Sequence, residues 1–319
     1  MSFTVTENFV RQFAANFNLL AQQRQSRLER FISDKETGVV GDSFTAERIA
    51  GAEANDVTTR HGDTPIQDQV QSRRIGFMQD ADWGELIDKL DKVKLLADPT
   101  SQTVANCIAA LNRKKDKVII NAALGSAAAG VNGASSIALP AAQQIANGGT
   151  GLTLAKLRTT KKTLDNAEQN DEAFFEMMGQ QQAQEQPYGN YANAGYVLVC
   201  TADQIDNLLG DSTITSADYN SVKALVSGTI NTFMGFYFVR LPKTDTAGNN
   251  MLPRVAATTV RSCFAFSPRA MKYGTGVEPS ARIAERADKK FSWQVYGQVS
   301  VGAVRKEDAG VVQIDVIEA

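Results

Sequence analysis

The sequence is poor in the residues on which most hydrolases and metalloproteins depend. It holds one histidine, His61, in 319 residues. A Ser–His–Asp triad built around a core position, or a multi-histidine metal site, is hard to assemble from that inventory. Cysteine is scarce too. Cys107, Cys200 and Cys263 match no zinc or redox spacing. An odd, scattered set points to a reducing compartment and to thiols packed as small hydrophobes. No apolar run approaches the ~18 residues of a membrane span. The first residues, Met1-Ser-Phe-Thr-Val-Thr-Glu7, lack the basic and apolar regions of a secretory signal, so synthesis in the cytosol is expected. Nor is charge of one sign in excess: 33 basic side chains face 35 acidic ones, for a net charge of −2. A chain gripping nucleic acid over its whole surface would be basic. Near-neutrality suits large surfaces that meet copies of the same chain, and it suits many enzymes as well.

What is present is enough for a folded core. Hydrophobic residues make up 43% of the chain, and its length allows one large domain or two ordinary ones. Phe9, Phe13, Phe17 and Leu20 form one stripe, and Thr4 with Glu7 has capping-box spacing, so residues 5–32 are predicted helical. Arg24, Arg27 and Arg30 then make a spaced basic ridge on that helix. Residues 36–77 lose all periodicity and are broken by glycines, with short candidate strands near 44–50 and 66–77. So long a stretch with little core is an extended β-hairpin arm or plain disorder. Asp98 and Pro99 then suit the N-cap and first turn of a long helix ending near Gly125. The Gly-, Ala- and Ser-rich residues 125–152 read as a flexible connection. Thr153 caps a further helix, basic at Lys156, Arg158, Lys161 and Lys162 and acidic at Asp165, Glu168, Asp171, Glu172 and Glu176. That order opposes the helix dipole, so stability of the helix is not its purpose.

The C-terminal half alternates. Strands are predicted at 196–200, 229–240, 254–266, 291–304 and 311–317, with helices at 202–209 and 216–226. Ser267-Pro268 is expected to open a short helix closed by Gly274. Mixed helices and strands without a repeated βαβ unit indicate an α+β fold.

Candidate chemistry is thin. Gly125–Gly133 and Gly148–Gly151 contain neither GxxxxGK[ST] nor GxGxxG, so they make poor phosphate cradles. Asp80, Asp82, Glu85, Asp88 and Asp91 are dense, but Lys89, Lys92 and Lys94 interleave and the spacing is not that of a calcium loop. Arg113-Lys114-Lys115-Asp116-Lys117 reads as a solvated helix face. His61 in a loop reads as a solvated side chain. No catalytic, cofactor or metal residue is assigned.

Several segments, in their order, carry a resemblance. They are Arg73-Arg74; Trp83-Gly-Glu-Leu-Ile-Asp88-Lys-Leu-Asp91-Lys; Asp98-Pro99-Thr100-Ser101; Asp218-Tyr219-Asn220 followed by Ala224-Leu225-Val226, Gly228 and Phe233-Met-Gly235-Phe236; and Ala303-Val304-Arg305 before Val311-Val312. This set is similar to the major capsid proteins of tailed double-stranded DNA bacteriophages, which have the Hong Kong 97-type fold. It covers about 75–319 well and residues 1–75 in layout only. The resemblance implies an N-terminal arm helix (1–35), an extended loop (36–77), a peripheral domain (78–150) with a spine helix at 99–124, an axial domain (151–260) and returning peripheral strands (261–319). It implies a non-enzymatic subunit that forms hexamers and pentamers and closes into an icosahedral shell around double-stranded DNA in the virion, after synthesis in the bacterial cytoplasm. Arg48, Arg60, Asp63, Arg73 and Arg74 become candidates for contacts between subunits. Arg24, Arg27 and Arg30 become candidates for interior contact with DNA or scaffold. A scaffolding protein, separate or removed ahead of Met1, a portal and a decoration protein are the implied partners, with no membrane. No Lys–Asn crosslink is assigned. An encapsulin-like nanocompartment shell and a soluble α+β enzyme are the alternatives.

Overall fold

The computed structural model describes residues 22–56, 60, 66–88, 100–182, 194–210, 232–255 and 259–318. In chain order they form β1 (Asp34–Thr37), β2 (Ser43–Ile49), β3 (Gln71–Phe77), β4 (Gln79–Ile87), α1 (Thr100–Leu124), β5 (Ala127–Ala129), β6 (Ser135–Ile137) and β7 (Gln144–Ile145). Then come α2 (Leu154–Asn166), α3 (Glu172–Gln182), β8 (Tyr196–Cys200), α4 (Ala202–Leu209), β9 (Thr232–Phe233), β10 (Phe236–Arg240), β11 (Val260–Phe266), β12 (Met271–Arg286), β13 (Ser292–Arg305) and β14 (Val311–Ile317). The fold is α+β. Among the described residues the strands make three sheets, ordered β1-β12-β13-β4, β7-β14-β11-β8-β10-β9 and β2-β3-β5-β6.

The chain divides into two compact units. One comprises Met1–Gln25, Asp80–Lys114 and Val277–Val299; the other comprises Ser26–Gln79, Lys115–Gly276 and Ser300–Ala319. In the first, the amino-terminal part of α1 packs on strand β13. A Cβ built at Gly297 would lie 2.3 Å from Cys107 Sγ and 3.1 Å from Leu111 Cδ1, so only glycine lets the strand pass under the helix this closely. Val295, Val299, Cys107, Ala109 and Leu111 are buried there.

The second unit is built on the six-stranded sheet. Every residue of β8 is buried, as is nearly all of β11. The continuous apolar run of β8 and that of Cys263–Phe266 in β11, rather than an alternating pattern, mark strands covered on both faces. β8 runs parallel to β10 and antiparallel to β11. Cys200 and Cys263 lie on these strands with no exposed surface. Burial pushes the Cys200 thiol up to about 12 and the Cys263 thiol well above its ordinary value, which makes them packing residues rather than nucleophiles.

Four expectations are corrected. Residues 22–28 are not helical, and only Glu29–Phe31 makes a 3-10 turn; the backbone N–H groups of Arg27 and Leu28 bond to a side chain of α1 instead of to preceding carbonyls. The apolar stripe Phe9–Leu20 lies outside the described residues. Residues 125–152 are not a free linker: β5 pairs with β3 and β6, and β7 pairs with β14. Gly130 and Gly133, at φ +87° and +70°, are the turn of the β5–β6 hairpin.

The helix begun at Thr153 ends at Asn166, and α3 starts afresh at Glu172. Asp165 therefore lies on α2, Glu168 and Asp171 lie in the connection, and Glu172 and Glu176 lie on α3, with Glu172 in the first turn, where the dipole favours it. Ser267-Pro268 opens a turn, not a helix. Met271 begins a sixteen-residue strand that runs through Gly274. The helix expected at 216–226, the caps Asp98 and Pro99, and His61 lie outside the described residues.

Candidate assembly surfaces

The amino-terminal strap is fastened to the charged run of α1, so that run is not a solvated face. In the first unit, the Arg113 guanidinium donates to Gln22 Oε1 (2.7 Å) and to the Gln23 carbonyl (3.1 Å), and Asn112 donates to the Arg24 carbonyl (3.0 Å). In the second, Asp116 is wholly buried. Its carboxylate accepts from the Ser26 hydroxyl (2.6 Å) and from the N–H groups of Arg27 (3.1 Å) and Leu28 (3.2 Å). Lys115 pairs with Glu29 at 3.1 Å. Three donors from the strap help this buried carboxylate to be tolerated.

The expected basic ridge is therefore not a helical face. Arg24 and Arg30 are exposed, and the Arg30 guanidinium lies 4.7 Å from the Phe31 ring centre. Arg27 is partly buried, with its guanidinium on the Arg240 carbonyl. Burial pulls the Arg27 pKa down while Asp116 draws it back up.

Strands β2 and β3 pair antiparallel from Ser43–Phe77 to Ile49–Gln71, and the Ala50 N–H extends the ladder to the Val70 carbonyl at 2.9 Å. This is the hairpin arm, rooted on one aromatic ring. Phe44 is buried with Ala46, Ala127 and Val304. Cβ atoms built at Gly76, Gly274 and Gly302 would come within 2.3, 2.7 and 2.8 Å of the Phe44 ring. Three glycines from three strands thus let backbone close on one side chain. A glycine inside a strand pattern is the sequence signal for such an approach; Gly76 and Gly302 fall inside predicted strands, whereas Gly274 is expected to close a helix.

Beside this root, Arg305 and Arg74 share Asp308. Arg305 has no exposed surface. Its guanidinium donates to Asp308 (2.7 Å) and to the carbonyls of Ala123 (2.9 Å), Gly125 (2.6 Å) and Ile137 (3.0 Å). It caps the carboxyl end of α1 and holds the β5–β6 hairpin. Arg74 is buried and meets the other Asp308 oxygen at 2.6 Å. Burial lowers the Arg74 pKa, and Asp308 opposes that shift. Among the other candidates, Arg73 is exposed and pairs with Glu47 at 2.6 Å, Arg48 is partly exposed, and Arg60 is exposed. Asp63 lies outside the described residues.

Among the described residues no group of three or more His, Cys, Asp or Glu side chains is arranged to hold a metal, and no helix is long and apolar enough to cross a membrane. The Gly148–Gly151 turn is the reverse of a phosphate cradle. The carbonyls of Asn147, Thr150 and Gly151 converge on the Lys156 ammonium at 2.8–2.9 Å, and that of Asp315 lies at 3.1 Å.

Similar structures bear on this arrangement. The capsid of Ralstonia phage GP4 superposes with a TM-score of 0.66 at 11% identity, over 98% of this chain and 96% of that one. Gordonia phage Cozz gives 0.65 at 12%, over 98% and 93%. The capsid of Cyanophage P-SCSP1u gives 0.64 at 14%, over 100% and 96%. The shared architecture is the Hong Kong 97-type fold. No curated protein matches the sequence. A family profile described as phage capsid protein matches residues 5–318. With the match running from the strap through the final strand, the chain belongs to the phage capsid protein family, as a major capsid subunit of the virion shell.

Proposed function

We propose that copies of this chain form hexamers and pentamers that close into an icosahedral shell around packaged double-stranded DNA. The observation that carries the reading is the hairpin arm, seen in a chain of the capsid family. Val40, Ile49, Ile66, Val70 and Phe77, all in or beside the arm, are 50–96% exposed. An arm with so much uncovered apolar surface calls for cover from another subunit. The arm's base is the opposite, locked by Phe44 and the Arg305–Asp308–Arg74 cluster, so the arm is held firmly where it leaves its own subunit.

In this reading residues 151–260 surround the local symmetry axis, and the peripheral parts meet neighbouring capsomers. Arg48, Arg60 and Arg73 serve contacts between subunits, while Arg74 supports them from inside. Arg24 and Arg30 face the interior, where contact with phosphate is independent of sequence and weakened by salt. Arg27 helps anchor the strap. A scaffolding protein, a portal and a decoration protein act as partners, assembly begins in the host bacterial cytoplasm, and no catalytic step is involved. Expressed with its scaffold partner, the chain should give closed icosahedral particles in electron micrographs. A subunit that stays monomeric under every assembly condition would overturn the reading.

A further inference from the structure

We infer that the exposed face of α2 in one copy docks against the first turns of α3 in the next, forming a head-to-tail seam held by charge. The inference rests on the reading of the chain as a shell subunit. Arg158 and Lys162 stand four residues apart on α2, both exposed, and neither has an acidic partner in range among the described residues. Like charges at that spacing repel, and α2 carries no acidic residue in its first turn to satisfy the dipole. The nearby carboxylate cannot neutralise them. Asp165 is already committed to Lys161 at 3.3 Å and to the Tyr196 hydroxyl at 2.7 Å. Beside these cations lies an open groove of ≈ 600 Å³, with Ala155, Thr159 and Met234 in its lining.

The complementary surface is on the next helix. Glu172 and Glu176 stand four apart on α3 and are exposed. Glu172 accepts a hydrogen bond from Asn170 at 2.9 Å, and neither carboxylate meets a cation within salt-bridge range among the described residues. The dipole accounts for Glu172 in the first turn but not for Glu176 one turn later. Met177, 61% exposed, adds apolar surface beside them. Like charges repel within each pair, and the two pairs are complementary to each other. Within one copy they do not pair. A second copy can satisfy both at once, and because the two patches differ, the contact is heterologous and propagates around a ring. Nucleic acid on α2 would explain the cations and leave the acids unexplained.

Charge reversal tests the seam. Subunits carrying R158E with K162E, or E172K with E176K, should lose shell yield by about tenfold or more, because every seam of a ring repeats the defect. The fourfold swap should restore yield to within about threefold of wild type, since it recreates the pairs in opposite sense. Neutral R158Q with K162Q should cut yield less and remove its dependence on salt. Circular dichroism and sedimentation velocity of free subunits check that each variant folds. Wild-type yield from either reversal, or no rescue by the fourfold swap, overturns the seam. So do R158E/K162E shells that form normally and fail to retain DNA, which would make α2 a nucleic-acid contact. A wild-type chain that never assembles removes the shell reading and the seam with it, whereas wild-type shells beside unaffected reversals remove the seam alone.

Discussion

Single carboxylates do much of the fastening in this subunit. Asp116 receives one hydroxyl and two backbone N–H groups from the strap. Asp116→Ala should therefore leave buried donors unpaired and lower stability by about 3 kcal/mol, seen as a lower urea midpoint with an unchanged slope. Asp245 is a second case. Burial alone would push its carboxyl up, but the Lys117 ammonium and the N–H and side-chain amide of Asn249 hold it down at about 2. A folded-state pKa below the unfolded value stabilises above the unfolded pKa and is lost as pH falls through the folded one. Wild type should thus lose this contribution between about pH 4 and pH 2. Asp245→Asn, which never had it, should show a shallower fall in melting temperature over that window; identical acid profiles would refute the assignment. None of this was legible in sequence. Arg113–Lys117 has the composition of a solvated face, and only tertiary structure distinguishes a charge that faces water from one that faces a strap.

At the scale of elements, the arm and its root make separable predictions. Gly76→Ala places a methyl where the Phe44 ring already sits and should destabilise by about 2 kcal/mol. Phe44→Leu in the same chain should relieve part of that cost, giving a measurable coupling in a double-mutant cycle. The arm itself should be cut by protease near residues 50–70 in free subunits and spared in shells; equal cleavage in both states would mean that no neighbour covers it. Elements with a dominant local signal were readable: the body of α1 and its end before Gly125, the buried strand β8, the Thr201-capped α4, the β2–β3 pairing region and β14 lie where periodicity and caps put them. Elements decided by tertiary structure were not. Gly274 looks like a stop because glycine usually is one, yet here it is a gap for Phe44 inside β12. The glycines of 125–152 look like a linker, yet they turn a hairpin stitched to β3.

For the whole molecule, the sequence conveyed the kind of protein better than its contacts. The scarcity of histidine and the near-zero net charge left several classes open, and the resemblance carried by the ordered segments from Arg73 to Val312 led to a shell-forming capsid subunit. Assembly surfaces leave no comparable signature, because an interface residue and a solvated residue have the same composition until a partner is placed. The order of synthesis adds a further constraint. The carboxyl end of α1 is closed by Arg305, which bonds the carbonyl of Ala123 from 182 positions downstream. At bacterial elongation rates the ribosome needs roughly 10–40 s to travel that distance. Throughout that interval the helix end, the β5–β6 hairpin and the root of the arm lack their common fastener. The root of the arm therefore cannot be completed before synthesis has passed position 305, late in a chain of 319 residues.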